Sequence, residues 1–132
     1  MTVYFAFGSR SAGLIVIQAL IEHAASFDLL GHSRRAAEAV SVIVRLRPDI
    51  VILEDVLLDG QAIDVVEDIA TRNWRGTIIM ISTLTGPPPP QAFRAKGIDF
   101  WFQLPQDKGE LCLALQELSD LKDSEWWTGG TN

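Results

Sequence analysis

A single cysteine, Cys112, leaves no partner for an internal disulfide and nothing from which to build a thiolate metal cluster, so the fold rests on its core alone. This fits a reducing compartment, and the cytoplasm is the expected location. The two histidines, His23 and His32, have no Cys or Ser beside them in a nucleophile motif and read as surface side chains. Positive charge is scarce, with 11 Lys and Arg against 17 Asp and Glu and a formal net charge of −6. A phosphate backbone calls for a basic face, so direct contact with nucleic acid is not expected. No apolar run reaches the roughly 20 residues of a membrane span. The block from Leu14 to Ile21 is interrupted by Gln18 and followed by Glu22 and His23. Gly8, Ser9, Arg10, Ser11 and Gly13 precede that block and no polybasic start stands before Val3, which argues against a signal peptide. The same Gly8 to Gly13 stretch lacks the lysine of a phosphate loop and the spacing of a dinucleotide fingerprint, leaving at most a weak anion site at a helix start.

What is present is a regular alternation of strand and helix patterns in a chain of 132 residues, the length of one domain, able to bury roughly two thirds of its unfolded surface. Val3 to Phe7 is a β-branched and aromatic run, and Ser9 or Ser11 can cap a helix from about Ala12 to Ala25. Phe27 to Leu30 is a second short strand ended by Gly31. Arg34 to Leu46 carries Ala36, Ala37, Val40, Ile43 and Val44 at helical spacing, and Pro48 stops it by disfavouring helical geometry at Arg47. Ile50 to Leu53 is continuous and mostly β-branched, as a strand covered on both faces must be, and Glu54 and Asp55 emerge at its carboxyl end. Ala62 to Ala70 is an amphipathic helix and Thr77 to Ser82 a fourth strand. The run Pro87 to Pro90 cannot lie inside a helix, so a fourth helix is short, about Gln91 to Lys96. Asp99 to Leu104 is an aromatic-rich fifth strand, and Lys108 to Leu121 spaces Leu111, Leu115 and Leu118 as the stripe of a last helix. Five such units imply an α/β fold, a parallel sheet with right-handed crossovers and helices on both faces.

RPDIVILEDVLLDG from Arg47 to Gly60, IIMIST from Ile78 to Thr83 and KGIDFWFQLP from Lys96 to Pro105 together resemble the receiver domains of two-component response regulators. The resemblance covers about Thr2 to Leu121. It implies a flavodoxin-like, CheY-like, doubly wound (βα)5 fold with strand order 2-1-3-4-5 over residues 1–121, and a tail or linker start over residues 122–132. Arg47-Pro48-Asp49, the last helix and Trp126-Trp127 look closest to the NarL/LuxR subfamily.

Receiver chemistry, as the resemblance implies it, needs two acids after the first strand to hold Mg²⁺, an aspartate after the third, a hydroxyl after the fourth and a lysine after the fifth. Metal and cations neutralise the charge that builds up on the phosphoryl oxygens. Here Phe7 and Gly8 fall where the acid pair belongs, and neither offers Mg²⁺ a side-chain oxygen. Glu54 stands at the phosphoacceptor position, one methylene longer than Asp, and its charge is expected to reach toward the place of an acyl phosphate. Asp55 is expected to point away from the pocket, because strand side chains alternate. Ser82 matches the retained hydroxyl, and Leu104 replaces the lysine. Glu54, Asp55 and Asp59 form an acidic group that reads as solvated, so no metal, no cofactor and no enzymatic activity are expected.

With the chemistry stripped, the expected role is binding, as a phosphorylation-independent, atypical receiver serving as an interaction or dimerisation module in bacterial signalling or transcription regulation. The expected partners are a second copy or a signalling protein, with any DNA-binding domain outside this chain. The candidate surface is Phe100, Trp101 and Phe102, with Trp101 as the outward anchor and both phenylalanines in the core. Helix 12–25, apolar nearly all round, and the tail with Trp126 and Trp127 compete with it. The alternatives are a conventional phosphoacceptor using Asp55 or Glu54, and a small-ligand flavodoxin-like module using the vacated cleft and the Gly8 to Gly13 turn.

Overall fold

In a computed structural model of the chain, residues 1–9, 12–23, 26–82, 97–104 and 106–118 are described. The strands of the main sheet are β1 (Thr2–Ala6), β2 (Asp28–Ser33), β3 (Ile50–Glu54), β4 (Thr77–Ser82) and β5 (Phe100–Gln103). All pair in parallel, in the order β2-β1-β3-β4-β5. The helices are α1 (Ala12–His23), α2 (Ala36–Leu46) and α3 (Ala62–Thr71), and residues 108–118 form a last one. The expected α/β architecture and strand order are therefore observed. The proline run, the short helix expected at 91–96 and the tail with Trp126 and Trp127 lie outside the described residues.

Period-two alternation along the strands divides the core into two layers. Tyr4, Ala6, Val51, Leu53, Ile78 and Met80 face α2 and α3, where Ala39, Ile43, Val66 and Ile69 meet them. Val3, Phe5, Ile50, Ile52, Ile79 and Ile81 face the other way, against Ile17 and Ile21 of α1 and Leu111 and Leu115 of the last helix. A strand sandwiched in this manner is buried throughout, which is why β3 is apolar from Ile50 to Leu53 and carries its one polar side chain, Glu54, at the carboxyl end. Ile15 on α1 is exposed while Ile17 and Ile21 are buried, so part of this helix's apolar excess lies on the surface.

Gly31 does not end β2. The strand runs through it to Ser33, and the pairing with β1 shifts register between Val3 and Tyr4, so that Leu30 is an extra residue. Gly31 sits at φ 151°, a conformation that suits glycine, and marks a bulge inside the strand. The end of α2 follows from Pro48: Arg47 takes the left-handed conformation at φ 48° while its N–H still reaches Ile43 O at 2.8 Å. Asp49 then ties the amino ends of two strands together, its carboxylate accepting from Thr2 N at 2.9 Å and Thr2 Oγ at 3.1 Å.

The start of α2 has no cap from its own flank, since Arg35 precedes it without a side-chain bond. Asp59 supplies one from the far side of β3, accepting from the N–H groups of Ala36 and Ala37. The bond from Ala36 holds the Asp59 carboxyl below its ordinary value of 3.8, followed in weight by smaller opposing and assisting effects. A depressed folded-state pKa stabilises the fold above the ordinary carboxyl range and ceases to do so as pH falls through the depressed value. Asp59→Ala is therefore expected to lower the melting temperature at pH 7. In thermal scans the gap between variant and wild type should close as pH drops below about 4.

Candidate functional site

The carboxyl ends of β1, β3 and β4 meet where ligands of open parallel sheets bind. Glu54, the last residue of β3, is only 3% exposed. Its Oε1 accepts from Gly8 N at 2.8 Å and Ser9 N at 2.7 Å, and its Oε2 accepts from Ser9 Oγ at 2.6 Å. A buried carboxylate is tolerated only where such donors replace its water, and charge-assisted bonds of this length are the strong kind. The side chain expected to reach toward an acyl phosphate is instead drawn sideways onto the turn after β1. The extra methylene of glutamate gives it the reach to bond across to that turn.

That turn has no room for the acid it lacks. A Cβ on Gly8 would lie 2.6 Å from Val56 O and 2.9 Å from Leu57 Cα, so the backbone of the β3–α3 connection fills the place of a side chain. Phe7 is buried in the core beside α1, its ring edge-on to Phe5 at 6.2 Å and 84°. Leu104, at the lysine position, is 5% exposed in the same layer, and its N–H bonds Ser82 O at 2.8 Å. An ammonium group placed there would have to give up hydration inside an apolar layer. All three substituted positions are thus integrated into packing.

Asp55 departs from its expected direction. Strand geometry stops at Glu54, and Asp55 stands at a bend with its N–H on Ile81 O and its carbonyl accepting from Ala62 N, so simple alternation no longer governs it. It lines the same cleft as Glu54, and its Oδ2 accepts from Ser82 Oγ at 2.9 Å. Ser82, read from the sequence as the surviving hydroxyl, is therefore engaged by Asp55. Asp59, the third member of the acidic group, is withdrawn to α2, and among the described residues no group of three His, Cys, Asp or Glu side chains is placed to hold a metal.

The cleft encloses about 270 Å³ and is lined by Gly8, Ser9, Glu54, Asp55, Val56, Leu57 and Leu58. Val56 and Leu58 are 48% and 51% exposed on its wall while Leu57 is buried, and Val56–Leu57 pairs antiparallel with Gly60–Gln61 in a two-residue ladder. Arg34, at the end of β2, braces the site from behind: its Nη2 donates to Gly8 O at 2.7 Å, and its carbonyl accepts from Leu58 N at 2.9 Å. Sequence reasoning gave Arg34 no part in the site, and it placed Ser9 as a helix cap and within the weak anion site of the Gly8 to Gly13 stretch. The hydroxyl beside a glycine was the available signal for Ser9, and a lone Arg in a turn offers none.

On β5, Phe100 and Phe102 stack at 6.0 Å and 11° in the α1 layer, as expected of core residues. Trp101 is only partly turned outward. It is half-buried against the α2 and α3 layer, opposite Met80, because an edge strand covered on both faces turns each alternate residue into one core or the other.

This geometry is similar to that of solved receiver domains. The response regulator domain of Thermotoga maritima CheB superposes with a TM-score of 0.75 at 18% identity, over 91% of this chain and 96% of that one. The BeF3-activated N-terminal receiver domain of Klebsiella pneumoniae RstA gives 0.72 at 20% identity, over 88% and 96%. A DNA-binding response regulator of the LuxR family from Staphylococcus aureus gives 0.71 at 16%, over 89% and 98%. The fold is the receiver fold. No protein-family model matches the sequence, and no curated protein matches it. Among the described residues no helix is long and apolar enough to cross a membrane.

Because Gly8 is in contact with backbone, adding even one carbon to this receiver fold should force the Val56–Leu57 segment to move. Gly8→Ala is expected to cost about 1–3 kcal/mol in urea denaturation, the usual range for overpacking, and a neutral result would show the contact to be soft.

Proposed function

We propose that the chain is a phosphorylation-independent receiver domain, a protein interaction or dimerisation module of bacterial two-component-type signalling or transcription regulation. One observation carries this reading: the carboxylate at the acceptor position is buried and bonded to the turn where a metal pocket would open. A nucleophile whose lone pairs accept short hydrogen bonds and which solvent scarcely reaches is poorly placed to attack a phosphodonor. Phe7, Gly8 and Leu104 supply neither metal ligands nor a cation. In this reading residues 1–121 are the binding unit and residues 122–132 are a tail or the start of a linker, the domain's role is non-enzymatic, and its place is the cytoplasm. The DNA-binding LuxR-family regulator among the similar structures supports an output domain of that kind. Contacts with a second copy or a signalling partner are assigned to the β5 side, where Phe100, Trp101 and Phe102 lie.

A second reading is favoured by the bond from Ser82 to Asp55 in the open cleft. If a phosphoryl group is accepted at all, Asp55 is its site. Incubation with acetyl phosphate and Mg²⁺ followed by intact-mass measurement separates the two. The mass is expected to stay unchanged; a stoichiometric phosphoryl adduct overturns the proposal, and its loss in Asp55→Asn assigns it to the second reading.

A further inference from the structure

Two consecutive backbone N–H groups and one hydroxyl converge on the Glu54 carboxylate, all within 2.6–2.8 Å. Successive N–H groups turned toward one point form a nest, a concavity that selects anions. The nest is held in place independently of Glu54. Arg34 bonds the carbonyl of Gly8, and because that carbonyl and Ser9 N–H belong to one peptide plane, the bond turns the N–H to the opposite side, toward the cleft. The guanidinium also polarises that peptide and strengthens its N–H as a donor. On the other flank the Val56 carbonyl and Leu57 lie where a Gly8 side chain would be, fixing the turn by contact.

We infer that the Gly8–Ser9 turn is a small-carboxylate site whose occupant the chain itself supplies: Glu54 sits in it as a tethered ligand and keeps free carboxylates out of the cleft. A tethered group competes at an effective concentration set by its short linkage, here a side chain on an ordered strand, so dilute external carboxylates cannot displace it. Withdrawal of the Glu54 side chain leaves the donors in position and a space of the right chemistry for acetate. This geometry holds whatever the signalling role of the domain.

The test is thermal unfolding of the 132-residue chain carrying Glu54→Ala, in sodium acetate and in sodium chloride of equal ionic strength at pH 7. The variant is expected to melt below wild type in chloride and to gain melting temperature with the logarithm of acetate concentration once the site fills, while wild type does not respond. Adding Ser9→Ala to Glu54→Ala should weaken the acetate response, since one of the described donors is gone. Glu54→Gln, which keeps an amide oxygen for the two N–H groups, should fold and ignore acetate. If Glu54→Ala is unfolded in chloride, far-UV circular dichroism follows the same titration as acetate-dependent refolding. Absence of any acetate effect on Glu54→Ala, or an equal effect on wild type, overturns the inference, and so does an acetate-sensitive Glu54→Gln.

Discussion

The ring of bonds around Glu54 is the constraint on which the rest of this molecule's upper surface depends. A carboxylate at the end of a central strand, with apolar layers on both sides, must find donors or lose its charge. It finds them on the turn after β1, and this ties the carboxyl ends of β3 and β1 together. The tie extends outward: Arg34 holds the same turn from β2, its carbonyl receives Leu58, and the next residue, Asp59, caps α2. Four elements adjacent in space but distant in sequence are thereby coupled through one buried charge and its neighbours.

The same coupling sets what the cleft of this receiver fold contains. Phe7 and Leu104 are packing positions in the α1 layer, and Gly8 is pressed against the Val56–Leu57 backbone. Reversal is not a matter of restoring single side chains, because an acid at residue 8 meets backbone and a lysine at residue 104 meets core. What remains accessible is a shallow cleft with an apolar wall at Val56 and Leu58, and the β5 edge with its half-buried tryptophan.

Most of the scaffold was legible in the sequence because the two periodicities are clean. Ile50 to Leu53 could only be a strand buried on both faces, and Pro48 had to end the helix before it. Gly31 misled because glycine marks both strand ends and bulges, and only the pairing with β1 distinguishes them. The substitutions in the site could be seen by position, whereas the direction of Glu54 could not, since it depends on where the donors of Gly8 and Ser9 lie in space. Asp55 escaped because it stands where strand alternation ceases. Asp59 as the cap of a helix 23 residues earlier in the chain is a tertiary fact with no local sign.

The most direct measurement is a ¹H–¹⁵N spectrum of the chain during titration with Mg²⁺ and beryllofluoride, the group that activates the similar Klebsiella receiver. With Glu54 filling the site, the amide signals of Gly8 and Ser9 should stay unchanged throughout. Saturable shifts at these two amides, reaching completion at one equivalent bound, would mean that the site opens to metal and phosphoryl mimic and would contradict a site closed by its own glutamate.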